Sequence, residues 1–405
     1  MCNMFDATTY GNKMRVAIVH DWLARYAGSE RVLERLLRLF PNADIHAVVD
    51  FLPSHERSFL QGKTPKTTFI QHLPFARRKF RIYLPLMPLA IEQHDMSGYD
   101  LVLSSSHAVA KGVLTGPDQV HVSYVHTPMR YAWEQQHHYL RDSGLHRSIA
   151  GAWTRHALQR LRAWDFQSAA RVDHLIANST FVAKRIEKTY RRHATVVHPP
   201  VDVDAFPLST RPRHDYVTAS RLVPYKRVDL VIRAFAERPR DHLHVIGEGP
   251  DRRRLERIAT RNVHFHGHLP QQDLASAFAN ARAFVYAAEE DFGITLVVAQ
   301  ATGTPVIAYG RGGARDSVRP LELSNPTGVH FHDQHPQAID AAITTFERNE
   351  DRFDPASLRA HAERFRPERF DAGLLTTLHR VLHPNAGVSF AMGGDREEAY
   401  ETTVA

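Results

Sequence analysis

"EEDFGITLVVAQATGTPVIAYGRGG", Glu289 to Gly313, is the stretch whose reading settles the fold. Three acids lead into a Phe292-Gly293 turn. An apolar run of helical character follows, closes at Gly303 and passes into the strand-like Pro305 to Tyr309. Such a loop lies at the mouth of a β/α unit, where open parallel sheets hold polar ligands. The helix start near Thr295 turns its unpaired N–H groups and partial positive charge back on the loop. A phosphate suits those N–H groups, and the carboxylate of Glu290 beside them suits sugar hydroxyls. Dipole compensation by Glu289, Glu290 and Asp291 is the plainer reading of the same acids.

Outward from this stretch the alternation repeats. Strand-like runs at 15–20, 44–49, 100–106, 121–126, 174–179 and 195–199 are separated by helical runs. A Pro- and Asp-rich aperiodic segment, 198–215, reads as a linker with turns. The pattern then restarts with strands at 216–222, 242–247, 263–267, 283–288 and 305–310. The fold class is α/β: two doubly wound, Rossmann-like domains whose strand ends face a cleft.

The bulk numbers suit a soluble two-domain protein. The 405 residues are 43% hydrophobic and 23% charged. No apolar run reaches the roughly 18–20 residues of a membrane span. The single Cys2 excludes an internal disulfide and fits a reducing compartment, so a cytoplasmic protein is expected. The net charge of +7 divides into +10 for residues 1–200 and −3 for the remainder. A basic half suits an anionic surface, such as a membrane leaflet or a phosphorylated acceptor. The 27 histidines show no metal-binding spacing on a helix, and no metal is expected.

Function is sought just after each strand. After the first comes Gly28 at a helix start, either a phosphate-binding turn or a turn capped by Ser29. His126 ends "HVSYVH" at the cleft mouth. Arg221 and Lys226 flank Pro224, and a fork and a point charge together suit one diphosphate. Gly247 and Gly249 bracket Glu248, and glycines there let backbone approach a flat ligand.

These residues carry a resemblance. "HDWL…GSERV", "SSSHAVAKGVL", "HTPMRYAW", "ANSTFVAKRI", "HPPVDVDAF", "SRLVPYKRVDL", "VIGEGPDRRRLE" and the opening stretch resemble the family 4 retaining glycosyltransferases of the GT-B fold, over roughly residues 14–383. Within that family they look like bacterial mannosyltransferase-like members that build lipid-linked surface polysaccharides. The resemblance implies a flexible start at 1–13, an acceptor domain at 14–200, a nucleotide-sugar domain at 201–370, a helix crossing back to the first domain at 371–385, and a disordered tail at 386–405. It implies that Arg221 and Lys226 neutralise the donor diphosphate, that Glu290 takes donor-sugar hydroxyls, and that His126 touches the transferred sugar. Phe292, Gly293, Ile294 and Thr295 would line the sugar and phosphate pocket, Gly28 would approach phosphate, and Gly247 to Gly249 with Glu248 would border the base. The donor implied is a nucleotide sugar, GDP-mannose foremost, with no metal and no cofactor. Alternatives are a UDP-sugar transferase, a nucleotide-sugar epimerase, or a binding protein with a degenerate donor site.

One departure stands out. The second acid of the family's E-x7-E motif, which takes the ribose hydroxyls, falls at Val298. Losing charged bonds worth about 1.5–3 kcal/mol each weakens donor binding without touching the reacting carbon. Residues 74–91 interleave Arg77, Arg78, Lys79 and Arg81 with Phe75, Phe80, Tyr83 and Leu84, and residues 147–171 add Trp153 and Trp164. That pattern suits an anionic membrane surface and a polyprenyl-diphosphate-linked acceptor on the inner face of the cell membrane, with no nucleic-acid motif in view.

Overall fold

The computed structural model describes residues 14–145, 147–209 and 213–383. The expected flexible start at 1–13 and tail at 386–405 lie outside the described residues.

The first domain is built on β1 (Val16–His20), β2 (Asp44–Ala47), β3 (Lys66–Thr67), β4 (Leu101–Ser106), β5 (Val120–Val125), β6 (His174–Ala177) and β7 (Thr195–Val196). β1 and β4 are buried at every residue. A strand with no polar face needs cover on both sides, which a parallel sheet with crossover helices provides. The sheet order is β3-β2-β1-β4-β5-β6-β7, and each pairing is parallel. The second domain carries β8 (His214–Ala219), β9 (Leu243–Ile246), β10 (Val263–Gly267), β11 (Ala281–Tyr286), β12 (Val306–Tyr309) and β13 (Gly328–Phe331), in the order β10-β9-β8-β11-β12-β13. Strand order reverses between β1 and β4 and again between β8 and β11, and ligand crevices of doubly wound sheets open at such points.

Two edge strands, β3 and β13, are absent from the sequence reading. Each is short, and β13 begins with glycine; pairing with β12 in register, Gly328 beside Val306, is what makes it a strand. The segment read as a linker is partly core. Val201, Val203 and Phe206 are buried with Phe284 and Leu296, while Asp202 and Asp204 between them face solvent.

The last helix begins at Pro367 and runs to Leu382, so it starts within the segment expected to precede the crossover at 371. Its Phe370, Leu374 and Leu378 enter the first domain's core beside Leu36 and Val122. Arg35 Nε donates to Asp371 at 2.6 Å, pinning this helix to the helix Gly28–Leu39. Among the described residues no helix is long and apolar enough to cross a membrane.

Candidate active site

Loops from the carboxyl ends of both sheets enclose a cavity of about 560 Å³, lined by Gly28, His126, Lys226, Glu290, Phe292, Gly293, Ile294, Thr295 and Val298 among others. Two helix starts meet there. The helix Ile294–Ala301 opens from Gly293, whose φ of +88° favours glycine and where a Cβ would sit 2.7 Å from Leu296 Cδ1. The helix Gly28–Leu39 starts opposite, with a Gly28 Cβ position only 3.4 Å from Ile294 Cδ1. Neither helix has a side-chain cap bond at its N-cap, so first-turn N–H groups are available to an anion.

Glu290 sits in a closed cluster. Its Oε1 accepts from Lys226 Nζ and from the Tyr286 hydroxyl, and Lys226 Nζ also lies 3.0 Å from that hydroxyl. Burial pushes the Glu290 carboxyl up, but Lys226 pulls it down further and holds it below the usual carboxylate range. Burial likewise pulls Lys226 down, and Glu290 with the nearby tyrosines reverses this, so the ammonium stays charged well above its ordinary range. A buried cation beside a helix start is a ready seat for a diphosphate.

The flanking acids do other work. Asp291 receives Arg185 and lies 3.3 Å from Arg130, and Glu289 lies 3.4 Å from Arg185 and 3.1 Å from Arg311. Arg130 and Arg185 belong to the first domain. Together with Thr180 N–H donating to Asp316 at 2.6 Å, they join the domains across the cleft. Of the three acids, only Glu290 pairs with a cation of its own domain inside the cavity.

Arg221 and Lys226 were expected to converge on one anion. Arg221 instead lines an adjoining cavity of about 650 Å³ with Gly247, Glu248 and His268. Tyr26, Leu274 and Thr295 border both cavities, so the two are compartments of one cleft. The cations are five positions apart in sequence, but the turn Pro224–Lys226 aims Lys226 towards β11 and leaves Arg221 exposed. Arg221 also adds to burial in pushing the pKa of Arg81 down, so two cations face each other there. The glycine reading needs correction too. A Cβ at Gly247 would meet Ser220 O at 1.9 Å, and one at Gly249 would meet Leu222 O at 2.1 Å. That close approach is to the protein's own backbone after β8, while Gly247 and Glu248 also line the adjoining cavity. Glu248 is bound by Arg252 at 2.5 Å on the rim.

Val298 is 6% exposed and belongs both to the cavity wall and to the second domain's core. His126 lines the opposite wall. Its Nε2 is 2.8 Å from Ser105 Oγ, and burial, with His107 and His20, pushes its pKa to about 3.

Sequence reasoning missed the groups that shape this wall. Asp21, fully buried, accepts from the backbone N–H groups of His107, Ala108, Val109 and Ala110 at 2.6–3.0 Å. It therefore ties the loop after β4 to the end of β1. His107 Nδ1 stands 2.9 Å from the same carboxylate, which outweighs burial and raises the imidazole pKa. His107 lines the cavity, as does Arg130. Both Asp21 and His107 directly follow strands, so the strand-end rule applied to "HDWL" and "SSSH" was the signal available.

Residues 26–205 match the model described as Glycosyltransferase Family 4, and residues 182–365 match that described as Glycosyl transferases group 1. The chain is 34% identical over 180 residues to the GDP-mannose-dependent monoacylated alpha-(1-6)-phosphatidylinositol monomannoside mannosyltransferase of Corynebacterium glutamicum, covering 37% of this chain and 47% of that protein. It is 31% identical over 229 residues to the GDP-mannose-dependent alpha-mannosyltransferase of Mycolicibacterium smegmatis, covering 54% and 57%. The chain spans about half the length of the curated relatives it matches. Anabaena HepE, solved in complex with UDP, superposes with a TM-score of 0.65 at 18% identity over 90% of this chain and 99% of its own. Sucrose-phosphate synthase from Thermosynechococcus elongatus gives 0.65 at 18% identity over 92% and 100%. The fold is GT-B, and from 26 to 365 the chain is like the family 4 glycosyltransferases.

Proposed function

We propose that the chain transfers a hexose from a nucleoside-diphosphate sugar to a second substrate, with retention at the anomeric carbon. The observation that carries this is the Lys226–Glu290–Tyr286 cluster set beside a helix start in a two-compartment cleft. Arg221's compartment takes the nucleoside. Lys226 and the N–H groups at Thr295 take the diphosphate, whose negative charge grows as the sugar bond breaks, and fixed positive groups stabilise that growth. Glu290 and His126 hold sugar hydroxyls. The departing phosphate takes the acceptor's proton on the same face, so no protein base and no metal is required. Mannose from GDP-mannose is the donor favoured by the names of the two curated relatives.

The acceptor is proposed to be lipid-linked and met at the inner face of the cell membrane. Phe75 (77% exposed), Ile82, Leu86 and Leu89 stand in solvent beside exposed Arg77, Arg78 and Lys79, an arrangement that supports docking on an anionic leaflet. Trp153 is exposed as well. Three residues leave the expected patch: Phe80 is buried in the first domain's core, Arg81 lies over the rings of Trp22 and Phe80, and Trp164 turns inward to donate to Glu92 at 2.8 Å.

A panel of GDP- and UDP-sugars, each offered with a polyprenyl-diphosphate-linked acceptor and followed by ¹H NMR, tests the proposal. GDP-mannose consumption with an α product is expected. Turnover of a sugar nucleotide without acceptor would point to epimerisation. Val298 favours a second reading, a binding protein with no transfer; calorimetry showing no binding of GDP or UDP at millimolar concentration would sink the transferase.

A further inference from the structure

His20, Ser105 and His126 stand side by side because three neighbouring strands end together. His20 is the register partner of Ser105 across β1 and β4, and Ser106 partners Val125, one residue before His126, across β4 and β5. Ser105 Oγ lies 3.2 Å from His20 Nδ1 and 2.8 Å from His126 Nε2. Behind His20, its Nε2 lies 3.5 Å from Glu30 Oε1. Glu30 is buried in the first turn of the helix Gly28–Leu39, where its Oε2 accepts from Ala27 N–H at 3.0 Å and from the Ser29 hydroxyl at 2.9 Å. The four groups form one file from a helix start to the cavity wall. Asp21 stays outside it, engaged by His107 and four N–H groups.

With His20 neutral, the file admits one order of protons. An ionised carboxylate only accepts, so the His20 nitrogen facing Glu30 carries the proton. In the neutral ring Nδ1 is then bare, and the Ser105 hydroxyl directs its single proton there. Ser105 Oγ is left to accept, so His126 donates from Nε2 and its Nδ1 is bare. The reverse order would set the bare Nε2 of His20 against the Glu30 carboxylate, two acceptors facing each other in a buried site. Burial favours the neutral form of His126, and Glu30 stays below the usual carboxylate range because His20, Ser29 and its own backbone outweigh burial.

We infer that Glu30, His20 and Ser105 are positioning residues that fix the tautomer of His126, so that the cavity meets a hydrogen-bond acceptor and selects a ligand group that donates. That the donating group is a sugar hydroxyl rests on the proposed function; the tautomer does not.

Ring ¹⁵N NMR of the full chain, labelled at histidine and with His126 assigned by difference from His126→Gln, reads the tautomer without any substrate. The wild type is expected to show His126 protonated at Nε2. In Glu30→Gln the amide oxygen keeps the Ala27 N–H and its NH2 faces His20, which reverses the file and moves the proton of His126 to Nδ1. Ser105→Ala cuts the file, so adding Glu30→Gln to it leaves His126 unmoved. His126 protonated at Nδ1 in the wild type, or unmoved by Glu30→Gln in a folded protein, overturns the inference; if Glu30→Gln fails to fold, the wild-type tautomer alone decides. Glu30→Gln should also raise the KM for the sugar donor about tenfold while leaving the Kd of the free nucleoside diphosphate unchanged. Absence of transfer by the wild type would count against the proposed function and leave the NMR result standing.

Discussion

Val298→Glu restores the acid that the resemblance places against the ribose, and two opposing effects can be sized. Val298 is 6% exposed and packs in the second domain's core, so a carboxylate there loses part of its hydration. That costs about 2–4 kcal/mol after relaxation. The position is the fifth of eight in the helix Ile294–Ala301, beyond the first turn, so the helix dipole returns little to an anion there. A net loss of about 2–4 kcal/mol lowers Tm by roughly 4–16 °C for a domain of this size. The donor side runs the other way. One charged hydrogen bond to a ribose hydroxyl is worth about 1.5–3 kcal/mol, or roughly 10- to 150-fold in Kd. Calorimetry with GDP and with 2′,3′-dideoxy-GDP, alongside a thermal melt, separates the two. A less stable protein that binds GDP at least tenfold tighter, with no gain for the dideoxy analogue, is expected. A folded variant with an unchanged Kd for GDP, or an equal gain for both ligands, refutes the ribose assignment.

Lys226→Ala strands Glu290 in a buried site and should cost about 3–5 kcal/mol at neutral pH, with most turnover lost. Glu290 titrates below its unfolded value of about 4.3, so its pairing stabilises the fold above that value and the contribution is lost as pH falls through the folded pKa. The stability gap between wild type and Lys226→Ala therefore narrows on acidification below about 4.3; denaturant midpoints at neutral pH and at pH of about 3 that keep the same gap would contradict the pairing. Arg185→Ala combined with Arg130→Ala frees Asp291 and Glu289 from their first-domain cations, and small-angle scattering should show a larger radius of gyration with a raised donor KM; an unchanged scattering curve would show that these ion pairs do not hold the cleft closed. Phe75→Ser combined with Leu89→Ser should reduce flotation with anionic vesicles while leaving the soluble fold intact, whereas equal recovery of wild type from neutral and anionic vesicles argues against the membrane surface.

Much of this architecture can be read from local pattern. Runs such as 16–20 are apolar enough to be buried on both faces, and that alone implies parallel strands under helices. The ligand loops follow, because strand ends are where such sheets open. What escaped the sequence depends on tertiary geometry. β3 and β13 exist through pairing rather than propensity. Whether Arg221 and Lys226 share one anion depends on which way a three-residue turn aims them, and spacing does not encode that direction. The same limit applied to Gly247 and Gly249: a need for close approach was visible, but not that the neighbour is Ser220 and Leu222. Arg130, Arg185 and Tyr286 lie within patterns visible in the sequence, but which partners they reach across the cleft is set by tertiary geometry.

The helix Pro367–Leu382 completes the hydrophobic interior of the domain that begins the chain. Phe370, Leu374 and Leu378 each bring about 1.5–3 kcal/mol of burial, so that domain lacks several kcal/mol until its last contributor has been synthesised. On the ribosome the first half must wait, partly open, while the whole second half emerges. Chimeras that exchange donor halves between relatives should therefore move residues 201–366 alone and leave the terminal helix with its original host.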